Sequence, residues 1–290
     1  MNIMKYRKIY FLFSSLLVVV SLVALGIFRL LPSVDFTGGS LIEVQVEKTD
    51  YSVEELYPLL SEVYEPTTIQ FSGENQLLMK GPELDVATQP VILDTLSQKT
   101  GVTSILRFEV VGPTISGELL SKTGIAILLV AGVITLYVWK QFEELRYGVC
   151  AVTAMLHDSL ILLGSFALLG HFFGVQVDIL FVTALLTTLS FSIHDTVVVF
   201  HRIRELRAKR RSQAFETTVN DAVVETISRS INNSVTIILM LAALVLLGGS
   251  SILWFSVALL IGAVVGTYSS TFLAAPLLIL WEEVEKRRKK

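Results

Sequence analysis

The sequence predicts a polytopic α-helical membrane protein, with six transmembrane helices and one extracytoplasmic α+β domain between helices 1 and 2. Three observations predict it. Charged residues make up only 17% of the 290, against about a quarter in soluble domains, and the mean hydropathy is +0.66. Apolar runs long enough to cross a ~30 Å hydrocarbon core recur six times, at 9–31, 124–139, 147–169, 177–200, 230–247 and 252–281. The one long interval between runs, from Asp35 to Lys122, carries 14 acidic residues against 5 basic ones.

The first run follows Lys5, Arg7 and Lys8, as a signal peptide would. Its apolar core exceeds the ~7–15 residues of such a leader, and no small-x-small cleavage site follows in "FRLLPSVDF". It is expected to be a retained anchor, and residues 1–33 form the first segment.

Residues 34–111 then read as a compact unit without disulfides, since Cys150 is the only cysteine. "SLIEVQVE" alternates as a strand does, and "SVEELYPLLSEVY" has helical spacing with Ser52 as N-cap. "TTIQF" and "QLLMK", split by "SGEN", predict a hairpin. "DVATQPVILDTLSQKTG" predicts a helix from an Asp85 cap to a Gly101 stop, and "SILRFEVV" a last strand. The order β-α-β-β-α-β is that of the ferredoxin-like split βαβ. Without histidines or paired carboxylates, the domain is expected to bind or to act as a lever. Gly38 and Gly39 lead into it, and Gly112 and Pro113 lead out; these four are the expected tethers or hinges, and the extracytoplasmic segment with its tethers spans 34–122.

The remaining runs place helices 2–6 within 123–281. Helix 2 is short, so its start is expected somewhat before Gly124, and Pro276 is expected to mark a frayed end of helix 6. Lys5/Arg7/Lys8, Lys140/Arg146, a basic loop near 201–225 and the basic tail 282–290 fall on one side if six helices alternate, while "GHFFGVQ" and "GGSS" carry no Lys or Arg. Cations mark the cytoplasmic side, so both termini are expected there. No nucleic-acid partner is expected.

An ionisable side chain at bilayer depth costs about 2.5–3.5 kcal/mol on insertion scales and by default marks a functional site. Thr188, Ser192 and Asp195 fall at i, i+4, i+7 in the fourth run, and Arg229, Asn233 and Thr236 repeat that spacing around the start of the fifth. Counted inward from the basic cluster, Asp195 and Arg229 lie in the same half of the bilayer, so the two stripes are expected to face each other, with Asp195 against Arg229. Apolar surroundings favour the protonated carboxyl and a nearby guanidinium the ionised one, so the pair is expected to exchange a cation as the arginine moves. Packing is already served by the small-xxx-small ridge Gly262, Gly266, Ser270. His157 and His194 have two readings, proton relay or satisfied hydrogen-bonder. Asp158 has three: part of the ion path, a local cap, or a contact with a neighbouring subunit. Adjacent His–Asp pairs point to different helix faces, and HExxH, P-loop and GxSxG motifs are missing. No metal, cofactor or enzyme activity is expected.

Several stretches carry a family resemblance: "VDFTGGS", "VVGP", "RYG", the "HD" of His157–Asp158, "SIHDTVVVFHRIRE", "ETISRSINNS" and "LLIGAVVGTYSS". Together, and in this order, they resemble the SecF family of bacterial protein-export membrane proteins, within the SecD/SecF group of the resistance-nodulation-division superfamily. The resemblance implies a multi-pass protein of the bacterial cytoplasmic membrane that pairs with SecD and associates with SecYEG and a YajC-type accessory subunit. It implies that H⁺ or Na⁺, the only coupling species and not a bound cofactor, drives assistance to a translocating polypeptide. It assigns ion coupling to Asp195 and Arg229, with a third carboxylate supplied by SecD. The family form "NDTVVVFDRIRE" appears here with His194 and His201 in place of Asn and Asp, so the resemblance gives neither histidine a role. Two rival expectations are a half-size exporter of lipids or small molecules and a scaffold without coupling.

Overall fold

The computed structural model describes residues 2–47, 53–61, 63–72, 75–85, 88–142 and 144–288. In chain order the elements begin with α1 (Arg7–Ile27), α2 (Val34–Thr37), β1 (Gly39–Val46), α3 (Val53–Ser61), β2 (Thr68–Ser72), β3 (Gln76–Gly81), α4 (Gln89–Thr100) and β4 (Val102–Val111). Five long helices follow: α5 (Pro113–Phe142), α6 (Leu145–Phe173), α7 (Ile179–Lys209), α8 (Phe215–Leu247) and α9 (Ser250–Ser269). A π-turn, Ser270–Ala274, joins α9 to α10 (Ala275–Arg288). Among the described residues, six helical stretches are long and apolar enough to cross a membrane. The chain is a multi-pass membrane protein of two compact units, Pro32–Ile125 and Met1–Leu31 with Ala126–Lys290.

Unit Pro32–Ile125 holds an antiparallel sheet of order β2-β3-β1-β4, the ferredoxin-like arrangement. Along β1, Ile42, Val44 and Val46 point to one face and pack with Leu56, Leu60, Ile92 and Leu96 of the two helices. The other face carries charge. Arg107 Nε donates to Glu109 Oε1 at 2.7 Å, and burial holds the neighbouring Glu43 carboxyl above the usual carboxylate range against the pull of Arg107. Burial and Arg107 together push the Lys80 amine down to about 8.

Several boundaries differ from expectation. Ser52, the expected cap of α3, lies outside the described residues. Asp85 does not cap α4, because Pro90 fixes the start in the first turn; the Thr88 N–H bonds the Asp85 backbone carbonyl instead. Gly101 does end α4, at φ 65°. Helix 2 begins at Pro113, because the polar stretch 113–123 hides a helical turn behind its low hydropathy. Ile115 and Ser116 both donate to the Gly112 carbonyl, and Lys122 pairs with Glu118 at i, i+4.

The expected basic loop near 201–225 is mostly helix. Lys209 bonds Glu205 one turn back at 2.7 Å, Arg202 Nε reaches across to Glu225 at 2.6 Å, and Arg210 reaches Asp221 at 2.9 Å. Such pairs extend a helix past its apolar stretch, and only residues 210–214 remain as a turn. The tail is helical to Arg288 for the same reason, with Lys286 against Glu282. Pro276 does not fray helix 6. It lacks the N–H that Phe272 would accept, and the π-turn one turn earlier absorbs the mismatch without ending the helix.

Candidate functional site

The α7 stripe divides between two neighbours. Thr188 and Ser192 are 3% and 0% exposed and lie against the glycine ridge of α9. A Cβ at Gly262 would collide with the Thr188 side chain, whereas one at Gly266 would sit in ordinary contact, 3.4 Å from Ser192 Cα. Ser270, the third member of the expected ridge, is buried but opens the π-turn, and its hydroxyl donates to the Thr267 carbonyl.

Asp195, one turn further along α7, meets α8 instead. It lines a cavity of about 220 Å³ with His194, Val198, Arg229, Ser230 and Asn233. A second cavity, of about 310 Å³, runs from Asp195 to Ser234 of α8 and to Ala263, Gly266 and Thr267 of α9. The structure therefore brings Asp195, Arg229 and Asn233 together, yet Asp195 and Arg229 close no ion pair with each other. The expected direct contact is replaced by a shared cavity, which leaves room for water around both groups and lowers the drive to pair. His194 is exposed beside Asp195. Arg229, Asn232, Asn233 and Thr236 form an exposed polar band on α8, and the Thr236 hydroxyl is spent on the Asn232 carbonyl of its own helix.

A separate polar node sits deeper. Asp158 is 4% and His157 7% exposed, so the reading in which Asp158 contacts a neighbouring subunit is wrong. Its carboxylate is enclosed by α6, α7 and α9. His157 Nδ1 lies 2.8 Å from Asp158 Oδ1, and Ser269 Oγ donates to Asp158 Oδ2 at 2.6 Å. Ser192 Oγ faces the same carboxylate without closing a hydrogen bond, and His157 Nε2 also lacks a partner. Nothing in the sequence singled out Ser269, because a serine in an apolar helix is ordinary until the facing acid is known. The same holds for the Thr267–Ser234 hydrogen bond, 2.7 Å, that ties α8 to α9.

The four tether residues are packed, not loose. Gly39 has φ 110°, and a Cβ there would strike the Gly81 carbonyl; only glycine meets both demands. A Cβ on Gly38 would lie 3.3 Å from Pro113 Cα, and Gly39 pairs with Val111 across β1 and β4. Gly112 approaches the Glu83 carboxylate. The segments that lead into and out of the α+β unit are thus clamped to each other. No group of three or more His, Cys, Asp or Glu suited to a metal occurs among the described residues.

Comparison with known proteins gives this geometry a context. Residues 92–284 match the family described as protein export membrane protein SecD/SecF, C-terminal, and residues 23–50 match the SecD/SecF GG motif. The protein translocase subunit SecF of Thermobaculum terrenum is 38% identical over 97% of this chain and 94% of its own length. That of Anaerolinea thermophila is 37% identical over 99% and 96%. The SecDF protein of Bacillus subtilis is 32% identical, with 97% of this chain matching 38% of its length. The crystal structure of SecDF from Thermus, a translocon-associated membrane protein, superposes with a TM-score of 0.87 at 31% identity, covering 98% of this chain and 39% of that one.

Proposed function

The chain belongs to the SecD/SecF family of protein-export membrane proteins, and from that premise we propose that it is the smaller half of an ion-driven export device. Its partner is a SecD subunit. The fused SecDF relatives support that pairing, because this chain matches only 38% of the Bacillus protein and 39% of the Thermus one. The pair sits in the bacterial cytoplasmic membrane with both termini of this chain cytoplasmic, and assists polypeptides leaving through SecYEG, with a YajC-type subunit as accessory. H⁺ or Na⁺ supplies the energy.

One observation carries the reading: Asp195, Arg229 and Asn233 border one cavity within a largely apolar bundle, beside a polar band that this chain alone leaves exposed. Such a band is costly in lipid and is accounted for if SecD covers it and adds a further acid. When Asp195 takes up a cation, its attraction for Arg229 falls, and α7 and α8 shift. The clamped glycine joint passes that shift to the α+β unit, which acts on the exported chain. One elementary charge crossing 100 mV releases about 2.3 kcal/mol, enough to invert two conformers separated by about half that.

The discriminating experiment is Arg229→Leu, with Arg229→Lys beside it, scored for SecD co-purification and for gradient-dependent export in vesicles. Loss of export with SecD still bound supports coupling. Full export in Arg229→Leu would leave only the scaffold reading.

A further inference from the structure

Helix 6 is not a regular helix, and the place where it breaks its pattern is specified from two sides. A π-turn inserts one extra residue per turn, and nothing in a run of apolar residues fixes where along the helix that residue sits. On the C-terminal side, Pro276 cannot donate to a carbonyl, which keeps the irregularity within a turn of it. On the N-terminal side, Ser269 is the last residue of α9 before the π-turn, and its hydroxyl is held by Asp158 Oδ2 at 2.6 Å while also contacting the Gly266 carbonyl at 3.2 Å.

The register matters because of what α9 presents to α7 and α8. Winding the wide turn as regular α-helix would instead rotate the N-terminal part of helix 6 relative to the rest by about 100°, one residue's worth. That rotation would take Gly262 away from Thr188 and Gly266 away from Ser192, where a larger residue does not fit at position 262. It would also carry Ala263, Gly266 and Thr267 off the wall of the Asp195 cavity. A serine–serine or apolar contact would hold this register weakly; a carboxylate acceptor forms one of the strong hydrogen bonds available to a hydroxyl. The second carboxylate oxygen is fixed by His157, whose Nδ1 lies 2.8 Å away.

We propose that Asp158 is a positioning residue: through Ser269 it locks the start of the π-turn and thereby the face that helix 6 offers to the Asp195 cavity. It does not itself carry the coupling ion. This role rests on the proposed function of that cavity, but it is tested by cavity geometry and not by export.

The full chain, co-expressed with SecD, is placed in membranes on a Cys150→Ala background with one reporter cysteine, Ala263→Cys on α9 or Ile237→Cys on α8. Labelling by a small charged thiol reagent is followed with and without Ser269→Ala. The Ser269→Ala change is expected to alter labelling of the α9 reporter about tenfold, the population shift that loss of one charge-assisted hydrogen bond allows, while the α8 reporter stays within a factor of about two. Ser269→Thr, which keeps the hydroxyl, restores the parent rate, and Asp158→Asn, which keeps an acceptor but loses the charge, falls between the parent and Asp158→Leu. Unchanged labelling in Ser269→Ala, equal changes at both reporters, or failure of Ser269→Thr to restore the rate overturns the proposal. If Asp158→Leu labels like the parent, the carboxylate does not hold Ser269 in place and the positioning role is wrong. Were Asp195 not the coupling site, export in Asp195→Asn would persist while these labelling results stood.

Discussion

Helix α7 makes two seams with one stripe of side chains, and they differ in kind. Against α9, Thr188 meets Gly262 with no room for an added atom, and Ser192 meets Gly266 at ordinary contact distance. Against α8, Asp195 meets Arg229 and Asn233 across a cavity. The first seam is held by backbone approach, tightest at Gly262, where an added Cβ collides; the second holds polar groups that a dry seam could not tolerate. Under the proposed coupling, stability resides in the first and responsiveness in the second. A protein that moves in response to an ion needs both next to each other, so that a shift at the polar seam is delivered to a rigid neighbour and not dissipated.

The sharpest way to break that contrast is to overfill the dry seam. Gly262→Val should cost about 3 kcal/mol or more, the upper range for overpacking, and is expected to abolish the folded protein as judged by detergent-resistant level and melting. Near-normal melting would mean that the α7–α9 seam is soft. Next comes Asp195→Leu, which removes the acid from the wet seam. It should leave melting unchanged or raised, because an incompletely compensated charge is removed, even as gradient-driven export is lost. A fall of several degrees in melting would place Asp195 among the structural residues. A milder probe is Gly266→Ala, whose added methyl would meet Ser192 at ordinary contact distance. Its cost should stay under about 1 kcal/mol, and a loss equal to that of Gly262→Val would contradict the seam geometry.

A comparably small effect lies in the α+β unit, which contains neither seam and so serves as a control. Lys80 releases its proton at about 8 in the fold against 10.5 when exposed. Between those values the unfolded chain binds more protons, so stability rises with pH across that window. Lys80→Met removes the cost of charging a partly buried amine and should stabilise the unit by about 1 kcal/mol at pH 7, after allowance for solvent screening. The gain should vanish by about pH 10.5, where neither state holds the proton. Pulse proteolysis in urea at several pH values reads this directly, and a gain that grows with pH would show that the sign is wrong.

Much of the architecture was readable in the residues alone. Hydropathy located six spans, and period-2 and period-3.6 patterns located the strands and helices of the inserted unit, because in each case one face or one whole surface must be apolar. Charged helices escaped that reading. The stretch 201–209 is held by pairs such as Glu205–Lys209, and 113–123 by Glu118–Lys122, and neither has an apolar signature. At the site, seven-residue spacing put Asp195 and Arg229 in the same neighbourhood. It did not reveal that the stripe would split, because Thr188 and Asp195 share a helix face and differ only in which neighbour lies opposite at each depth. Ser269 and the π-turn were invisible for a related reason: Pro276 announces an irregularity, but where it settles depends on the Asp158 carboxylate of another helix.

The most direct test compares wild type with Asp195→Asn in vesicles holding equal amounts of assembled SecD partner, with export followed after a proton or sodium gradient is imposed. Export in the wild type should rise with the gradient, and in Asp195→Asn it should stay at the level seen without one. A gradient-dependent rise of the same size in the variant would contradict ion coupling through this cavity.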